Sequence, residues 1–297
     1  MADGTAASVV GVMDIGGGHV TAALVDAEDP GHVLVEAESP LDPHASRDVL
    51  LDTIAATGRR LLVPAGPAPV RWAIAIPGPF DYAAGSGTFE GVEKFRALAG
   101  VDLRAGLASR LGVAPGAVGF LNDATAYGLG EWAAGAGARV DRLVCVTLGT
   151  GVGSAFLDGG HEVDSGPDVP PGGEAHLIRI EGEPLETVIS TRALTAAYTR
   201  LTGRGATVAE ICAAARAGEA DAALVMRTGM LALGRALSPW IERFGATRVV
   251  VGGSIARSWD VIGAPLRDGL GMPDVEVVPA ELGAVAPVVG AAAWALG

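Results

Sequence analysis

The sequence predicts an α/β fold built from two similar lobes. Apolar, strand-like runs alternate with segments of helical spacing along the chain, which is the pattern of an α/β protein. A strand, a glycine turn and a second strand occur in that order twice, around residues 14–18 and 147–153, which indicates a duplicated lobe. Hydrophobic residues make up 49% of the 297 residues, which is enough for a substantial core.

The first half of the chain supplies strands and helices in a clear order. Apolar runs bounded by glycine and proline predict strands at residues 9–13, 20–25, 33–38, 70–76 and 118–121. Helical spacing predicts helices at residues 47–62, 103–111 and 123–134. Pro77 and Pro79 end the strand before them, because proline has no amide to donate to a sheet.

The second half repeats the plan with more helix. Apolar runs predict strands at residues 143–148, 154–157 and 248–251. Thr207 and Glu210 have the spacing of a helix capping box. We expect an N-terminal lobe of residues 1–122, a C-terminal lobe of residues 123–283, and a last helix, residues 284–297, that joins the first lobe.

The net charge of −13 argues against nucleic acid and anionic membrane surfaces as partners, because clusters of Lys and Arg bind both. The negative charge is sufficiently explained by its contribution to keeping the protein soluble. No apolar stretch is long enough to span a membrane, and the N-terminus lacks the basic start and apolar core of a signal peptide. The expected location is the cytoplasm.

Lysine and cysteine are both scarce. Lys94 is the single lysine and no Walker-type motif occurs, so we expect any phosphate site to form without a lysine. The two cysteines, Cys145 and Cys212, are far apart in sequence, so neither a zinc site nor a disulfide framework is expected.

Two glycine turns follow apolar strands and are candidates for binding a polyphosphate with Mg²⁺. Glycines let a ligand approach the main-chain N–H groups, and successive N–H groups form a concavity that binds anions. The alternative is that each turn only closes a β-hairpin. The second turn is not a dinucleotide fingerprint, because a strand rather than a helix follows it. The candidate phosphate ligands are Gly16, Gly17 and Gly18 in the first turn and Gly149, Thr150, Gly151 and Gly153 in the second.

Three polar residues stand at strand ends, where α/β folds place ligands. Asp14 closes the first strand beside a glycine turn, so it either binds Mg²⁺, directly or through water, or caps the turn. Asn122 and Asp123 join a strand to a helix whose N-terminus favours negative charge. The pattern leaves open whether these two residues perform chemistry or cap the helix.

Ordered motifs over nearly the whole chain resemble the ROK family of sugar kinases, named for its repressors, open reading frames and kinases. The similar segments are residues 13–17 and 147–153 (two phosphate motifs), 76–79 (near the sugar), 121–124 (catalytic), 251–254 (near adenosine) and 290–293 (the C-terminal helix). Several matches in the same order are far more specific than any one of them.

The resemblance implies a two-lobed actin/hexokinase-like (ribonuclease H-like) fold with a central cleft for ATP and Mg²⁺. It implies an ATP-dependent phosphotransferase acting on a hexose hydroxyl, usually the 6-OH, with Asp123 as general base. It implies that Gly78 and Asn122 bind the sugar and that Gly252 and Gly253 lie near the nucleotide. Since family members are often dimers or tetramers, the resemblance also implies a homodimer or other homo-oligomer.

Three departures from the family pattern concern the first phosphate motif, the metal content and the segment before the second helix. The first motif has Gly18-His19 where the family usually has Thr-Lys, so His19 either substitutes for the missing contact or faces solvent. The cysteine-rich zinc loop of the family is missing, so no structural zinc is expected. Residues 91–95 also lack the asparagine that often precedes the second helix.

Other departures affect the sugar side. The usual Glu-x-x-His pair is shortened to Glu174-Ala175-His176, so one or both of Glu174 and His176 contact the sugar. Glu186 still resembles the glutamate that contacts the sugar in the family. Acceptor choice is expected to depend on this region, because a site built to bind a particular hydroxyl rejects sugars without it.

Two alternatives remain beside an ATP-dependent hexose kinase. The first changes the donor to polyphosphate or the acceptor to an N-acetylhexosamine. The second is a sugar-binding regulator without turnover. Repressors of the family carry a helix-turn-helix domain before the first phosphate motif. Only about a dozen residues precede Asp14 here, and the negative charge does not suit DNA.

Overall fold

The structure is a computed structural model that describes residues 8–64, 66–180 and 182–297. The expected absence of a signal peptide rests partly on residues 1–7, which lie outside the described residues. The chain divides into two compact units. The first unit comprises Met1–Ala134 with Ala284–Gly297, and the second comprises Gly135–Gly283.

Strands and helices follow one another much as the sequence predicts. The strands are β1 (Val9–Ile15), β2 (His19–Asp26), β3 (Val33–Pro40), β4 (Pro69–Ile76), β5 (Phe80–Asp81), β6 (Ser86–Gly87), β7 (Val118–Asn122), β8 (Arg142–Leu148), β9 (Val152–Asp158), β10 (His161–Glu162), β11 (Arg179–Ile180), β12 (Glu183–Pro184), β13 (Arg248–Gly252) and β14 (Glu276–Pro279). The helices are α1 (Arg47–Arg59), α2 (Leu103–Leu111), α3 (Asp123–Ala134), α4 (Glu186–Ile189), α5 (Thr191–Thr202), α6 (Val208–Arg216), α7 (Ala220–Phe244), α8 (Trp259–Leu270) and α9 (Ala286–Leu296). Within the described ranges, every helix is too short or too polar to cross a lipid bilayer.

The main sheets of the two units share one topology. Their strand orders are β3-β2-β1-β4-β7 in the first unit and β10-β9-β8-β13-β14 in the second. In each sheet, antiparallel strands form a meander, and two later strands then run parallel to the first strand of that meander. This repetition confirms the predicted duplication.

Apolar strand sequences explain why each sheet lies inside its unit. All of residues 9–13 in β1 and residues 143–146 in β8 are buried, as expected for central strands covered on both faces. Aromatic side chains fill the space between sheet and helices, with Trp72 and Phe120 in the first unit and Phe156 in the second. Apolar burial on this scale is the main source of stability of each unit.

Local signals fix several helix ends. Thr207 and Glu210 form the predicted capping box, in which the Thr207 amide donates to Glu210 Oε2 at 2.7 Å and the Glu210 amide donates to Thr207 Oγ1 at 3.3 Å. Helix α1 ends at Arg59 rather than at residue 62. The amides of Leu61 and Leu62 donate three residues back, so the chain tightens into a turn there.

Helix α3 belongs to the first unit, so the boundary expected at residue 122 is too early. Helices α3 and α9 cross at glycines: a Cβ on Gly130 would lie 2.0 Å from the Ala286 carbonyl oxygen, and one on Gly290 would lie 1.8 Å from that of Ala126. Two helices can approach this closely only where side chains are absent. The packing holds α3 and α9 in one unit.

Candidate functional site

The first glycine turn closes the hairpin of β1 and β2. The Gly16 amide donates to the His19 carbonyl at 3.0 Å, and the Leu41 amide donates to the Gly18 carbonyl at 3.0 Å. The turn therefore closes a β-hairpin, as one of the two alternatives predicts. Closing the hairpin does not remove its capacity to hold phosphate. His19 is exposed, yet a Cβ on Gly16 would lie 3.1 Å from its Cε1 atom, so the imidazole lies over the turn.

Asp14 and Asp123 bring two carboxyl groups to the same edge of the first sheet. Asp14 pairs with Ala75 of β4, and β7, on the other side of β4, leads directly into Asp123. Since β1, β4 and β7 are parallel, their carboxyl ends meet at this edge. Burial raises the pKa of Asp14 to about 6, the negative charge of Asp123 adds to the shift, and His19 opposes it.

Asp123 is half-buried, as is Asp14. Burial raises its pKa, while the Ala124 amide, which donates to its Oδ1 at 2.9 Å, and the ammonium of Lys94 lower it. A half-buried carboxylate with a raised pKa and an orienting hydrogen bond has the properties of a general base.

The donor set at this edge fits a magnesium ion. Mg²⁺ takes only one or two carboxylates from a protein and completes its shell with phosphate oxygens and water. Asp14 can serve in that way, and a cation there would relieve its repulsion with Asp123. Among the residues described, no cluster of three or more His, Cys, Asp or Glu side chains is arranged to hold a metal by itself.

Asn122 caps helix α3. Its Oδ1 accepts from the amides of Ala124 at 2.8 Å and Thr125 at 3.2 Å, which is the N-cap arrangement. Its Nδ2 donates to the hydroxyl of Tyr82 at 2.9 Å, and that hydroxyl donates to the Ile76 carbonyl at 3.2 Å. The capping alternative for Asn122 is thus realised, and its predicted sugar contact stays a prediction.

Tyr82 is a residue that sequence reasoning missed. A Cβ on Gly78 would lie 3.6 Å from the Tyr82 hydroxyl, so the structure places Gly78, Tyr82 and Asn122 together. The signal in the sequence is an aromatic hydroxyl a few residues after the segment that resembles the sugar-side motif. A tyrosine there can both orient Asn122 and present its hydroxyl to a polar ligand.

Lys94 corrects the expectation that the phosphate turns lie away from any lysine. A Cβ built on Gly17 would lie 2.1 Å from Lys94 Nζ, so the ammonium group rests directly over the first glycine turn. Its charge also reaches Asp123. The only lysine of the chain is therefore at the candidate site.

The second glycine turn closes the hairpin of β8 and β9. Gly149 is anchored by Thr191, whose amide and Oγ1 both donate to the Gly149 carbonyl at 2.8 Å. Gly153 lies in β9, paired with Thr147, and not in the turn as predicted. The register places Leu148 opposite Val152, which leaves residues 149–151 as the turn.

A carboxylate lies against this second turn. A Cβ on Gly151 would lie 2.6 Å from Oε2 of Glu186, the residue expected at the sugar, while Thr150 is exposed beside it. Since a carboxylate repels phosphate, anion binding at Gly151 requires a cation or a shift of Glu186. The sugar contact of Glu186 stays a prediction.

Gly252 and Gly253 lie beside the second turn. Strand β13 runs parallel to β8 and Gly252 pairs with Thr147, so both strands end at the same edge. Gly253 has a φ of 84°, and a Cβ there would lie 2.4 Å from the Leu148 carbonyl oxygen, so only glycine fits. The structure thus brings together the two segments expected at the nucleotide.

Glu174 and His176 flank the buried Ala175. Ser154 pins this loop to β9, because its hydroxyl donates to the Gly173 carbonyl at 2.7 Å and accepts from the Ala175 amide at 2.7 Å. Glu174 Oε2 and His176 Nε2 are 3.6 Å apart, and both side chains are more than 40% exposed. Two polar groups held side by side in this way can contact neighbouring hydroxyls of one ligand.

The duplicated α/β units, with glycine hairpins and paired carboxyl groups at the sheet edge, define a protein of the actin/hexokinase-like class. A model of the ROK family matches residues 10–176 and 180–297. The chain therefore belongs to the ROK family. Of its two cysteines, Cys145 is buried in β8 and Cys212 in α6.

Comparisons with known proteins agree on this fold. A glucokinase from Thermotoga maritima is 29% identical over 170 residues, covering 50% of this chain and 53% of that protein, so the match spans about half of the curated relative. A ROK hexokinase structure from Thermus thermophilus has a TM-score of 0.80 at 24% identity, covering 96% of each chain.

Two other similar structures differ in their described activities. An inorganic polyphosphate/ATP-glucomannokinase from Arthrobacter sp. strain KM is 26% identical with a TM-score of 0.69, covering 97% of this chain and 98% of that one. A ROK family transcriptional regulator, a homologue of the E. coli MLC protein, is 22% identical with a TM-score of 0.80, covering 98% of this chain and 78% of that one.

Proposed function

We propose that this protein is an ATP-dependent sugar kinase that transfers the γ-phosphoryl group to a hexose hydroxyl, with the 6-OH as the favoured acceptor. The observation that carries the proposal is Asp123, a half-buried carboxyl group with a raised pKa, which follows a strand end at the same edge of the sheet as Asp14. Membership of the ROK family and the similarity to a glucokinase support it.

Asp123 accepts the proton of the attacking hydroxyl. A raised pKa brings a carboxylate nearer to the working pH, where it is a more effective base. The hydrogen bond from the Ala124 amide holds the carboxylate in one orientation at the start of α3. Phosphoryl transfer has a loose transition state, so positioning of this kind is a large part of what the protein must supply.

Asp14, the other carboxyl group at this edge of the sheet, acts on the phosphate donor. Asp14 holds Mg²⁺, and the ion when bound neutralises charge on the donor phosphates. The turn of Gly16, Gly17 and Gly18 holds phosphate oxygens through the amides of Gly17 and Gly18, since the Gly16 amide donates to the His19 carbonyl. Gly149 to Gly151, with Gly252 and Gly253, bind the remainder of the nucleotide.

Each unit contributes a set of proposed sugar ligands. Gly78, Asn122 and Tyr82 form one set, joined by the hydrogen bond from Asn122 to Tyr82. Glu174, His176 and Glu186 are the second set of proposed ligands. Which hydroxyls they contact decides which sugar reacts, since an unpaired polar group in the site penalises the wrong sugar.

Two observations favour alternatives to this function. Of the three solved structures described above, the polyphosphate/ATP-glucomannokinase has the highest sequence identity to this chain, which favours polyphosphate as a second donor. The similarity to a transcriptional regulator favours a sugar-binding protein without turnover. An N-acetylhexosamine is the alternative acceptor.

A coupled assay of ADP release with Mg²⁺–ATP across hexoses and N-acetylhexosamines tests the proposal. We expect turnover with a hexose, and a fall in kcat of about 10²–10⁴-fold in Asp123→Asn, because general-base catalysis has that size. Asp48→Asn is the matched control, since Asp48 is a surface aspartate of the same unit, paired with Arg47.

Each outcome of this assay is informative. Turnover of an N-acetylhexosamine alone would change the acceptor, and turnover with polyphosphate alone would change the donor. A folded wild-type protein that binds sugar but turns over none of these pairs would support the regulator. Asp123→Asn activity within about threefold of wild type would remove Asp123 from the mechanism.

A further inference from the structure

The position of Lys94 is not explained by the stability of the fold. Lys94 is exposed, and its neighbour Phe95 is buried at 1% exposure with a left-handed φ of 61°. The Phe95 amide donates to the Pro43 carbonyl at 2.9 Å, and its ring packs against Phe89. Phe95 therefore anchors the segment that carries Lys94.

The ammonium group of Lys94 lies near the first glycine turn and is not paired with a carboxylate among the residues described. A Cβ on Gly17 would lie 2.1 Å from Nζ, 2.7 Å from Cε and 2.9 Å from Cδ of Lys94, so the whole end of the side chain lies over Gly17. The adjacent carboxylate of Glu93 is taken by Arg96, at 2.9 Å. Among the residues described, no carboxylate lies within 4.0 Å of Nζ.

The surroundings define what the ammonium group can bind. The ammonium group lies over the first glycine turn, and its positive charge lowers the pKa of Asp123. A ligand phosphate at the turn would bring negative oxygens to Nζ. A lysine in this place has the charge to bind the oxygens of a phosphate held at the turn.

We propose that Lys94 is a catalytic residue that binds the oxygens of the phosphoryl group during its transfer. This assignment rests on the proposed kinase function. As the sugar oxygen bonds to the γ-phosphorus, the bond from that phosphorus to the bridging oxygen of ATP breaks. The hydroxyl proton goes to Asp123 and ADP leaves. Lys94 stabilises the negative charge on the non-bridging oxygens throughout.

Steady-state kinetics of Lys94→Met test this role. Methionine keeps much of the apolar stem but removes the charge, so we expect kcat to fall about 10²–10³-fold, as when one preorganised donor to a developing charge is lost. Lys94→Arg restores part of the loss because it keeps the cation. Arg96→Met is the matched control, since Arg96 is a nearby cation occupied by Glu93, and it should stay within about twofold of wild type.

Nucleotide affinity provides a second measurement that does not need turnover. A group that binds the transferred phosphoryl group contacts ATP but not ADP at that position. We expect Lys94→Met to weaken binding of a non-hydrolysable ATP analogue at least about tenfold more than binding of ADP, measured by calorimetry with Mg²⁺.

The outcomes separate this assignment from the function on which it rests. Wild-type turnover together with Lys94→Met kcat within about threefold of wild type, or an equal loss of affinity for both nucleotides, would overturn the role of Lys94 and leave the kinase intact. A wild-type protein without turnover on any donor and acceptor would overturn the kinase, and the role of Lys94 with it.

Discussion

Replacement of Asp14 by asparagine should change how the stability of the protein depends on pH. Asp14 has a folded-state pKa of about 6 against an ordinary value of 3.8, chiefly because it is buried and secondly because it faces Asp123. A raised pKa in an acid means that the folded state prefers the protonated form. The stabilising contribution is complete below pH 3.8 and is lost as the pH rises through about 6.

The magnitude follows from the two pKa values. One pKa unit corresponds to about 1.4 kcal/mol, so the full contribution is about 3 kcal/mol, an upper figure because Asp14 keeps some solvent exposure. Between pH 4.5 and pH 7.5 about 2 kcal/mol of it should be lost in the wild type. Asp14→Asn cannot ionise, so this part of the pH dependence disappears in the variant.

Thermal unfolding in the presence of EDTA and without nucleotide measures the difference. Relative to wild type, Asp14→Asn should gain about 2 kcal/mol between pH 4.5 and pH 7.5, equivalent to a relative Tm shift of roughly 4–8 °C for a unit of this size. Asp48→Asn is a control with the opposite pH dependence. Because Arg47 lowers the pKa of Asp48, the contribution of Asp48 to stability is lost as the pH falls rather than as it rises. A gap between wild type and Asp14→Asn that stays constant over this range would refute the reasoning.

Three further predictions concern packing, capping and the loop at β9. Gly290→Ala should lower the free energy of unfolding by about 1–3 kcal/mol or more, because its Cβ would lie 1.8 Å from the Ala126 carbonyl oxygen. Thermal unfolding beside the control Gly205→Ala, whose Cβ would meet nothing within 4 Å, checks this. Equal Tm values for the two variants would contradict it. Asn122→Ala should cost about 1 kcal/mol in urea unfolding through loss of the α3 cap, and no loss would show that the cap is unimportant. Ser154→Ala should raise KM for sugar more than KM for ATP, because the loop at Ala175 loses both hydrogen bonds, and equal changes would count against a sugar role for that loop.

Much of the fold could be predicted from local sequence. The hairpins around the glycine turns, the strand that leads into Asp123 and the capping box at Thr207 all depend on neighbouring residues, so a single sequence contains their signals. The duplication was visible for the same reason. The boundary at residue 122 was wrong because it depends on Gly130 and Gly290, which are distant in sequence and meet only in the fold.

The candidate site could be predicted only in part. The sequence predicts Asp14 and Asp123 as candidates because strand ends mark ligand sites, and in the structure the charge of Asp123 acts on Asp14. Their roles in binding and catalysis stay predictions. Lys94 and Tyr82 were missed because they come from irregular segments, whose path depends on tertiary contacts. The left-handed Phe95, buried beside Lys94, is such a contact and has no local sequence signal.

The packing of α9 on α3 makes the first unit depend on the last segment of the chain to be synthesised. Strands β1 to β7 leave the ribosome first, but the helix that covers α3 follows only after the whole second unit. The second unit can therefore complete its core before the first, although domains otherwise tend to fold from the N-terminus onward. Until residue 290 is available, Gly130 of α3 has no α9 to pack against, and the helix that begins at Asp123 lacks that support. A nascent chain arrested within the second unit should thus be both inactive and prone to aggregation.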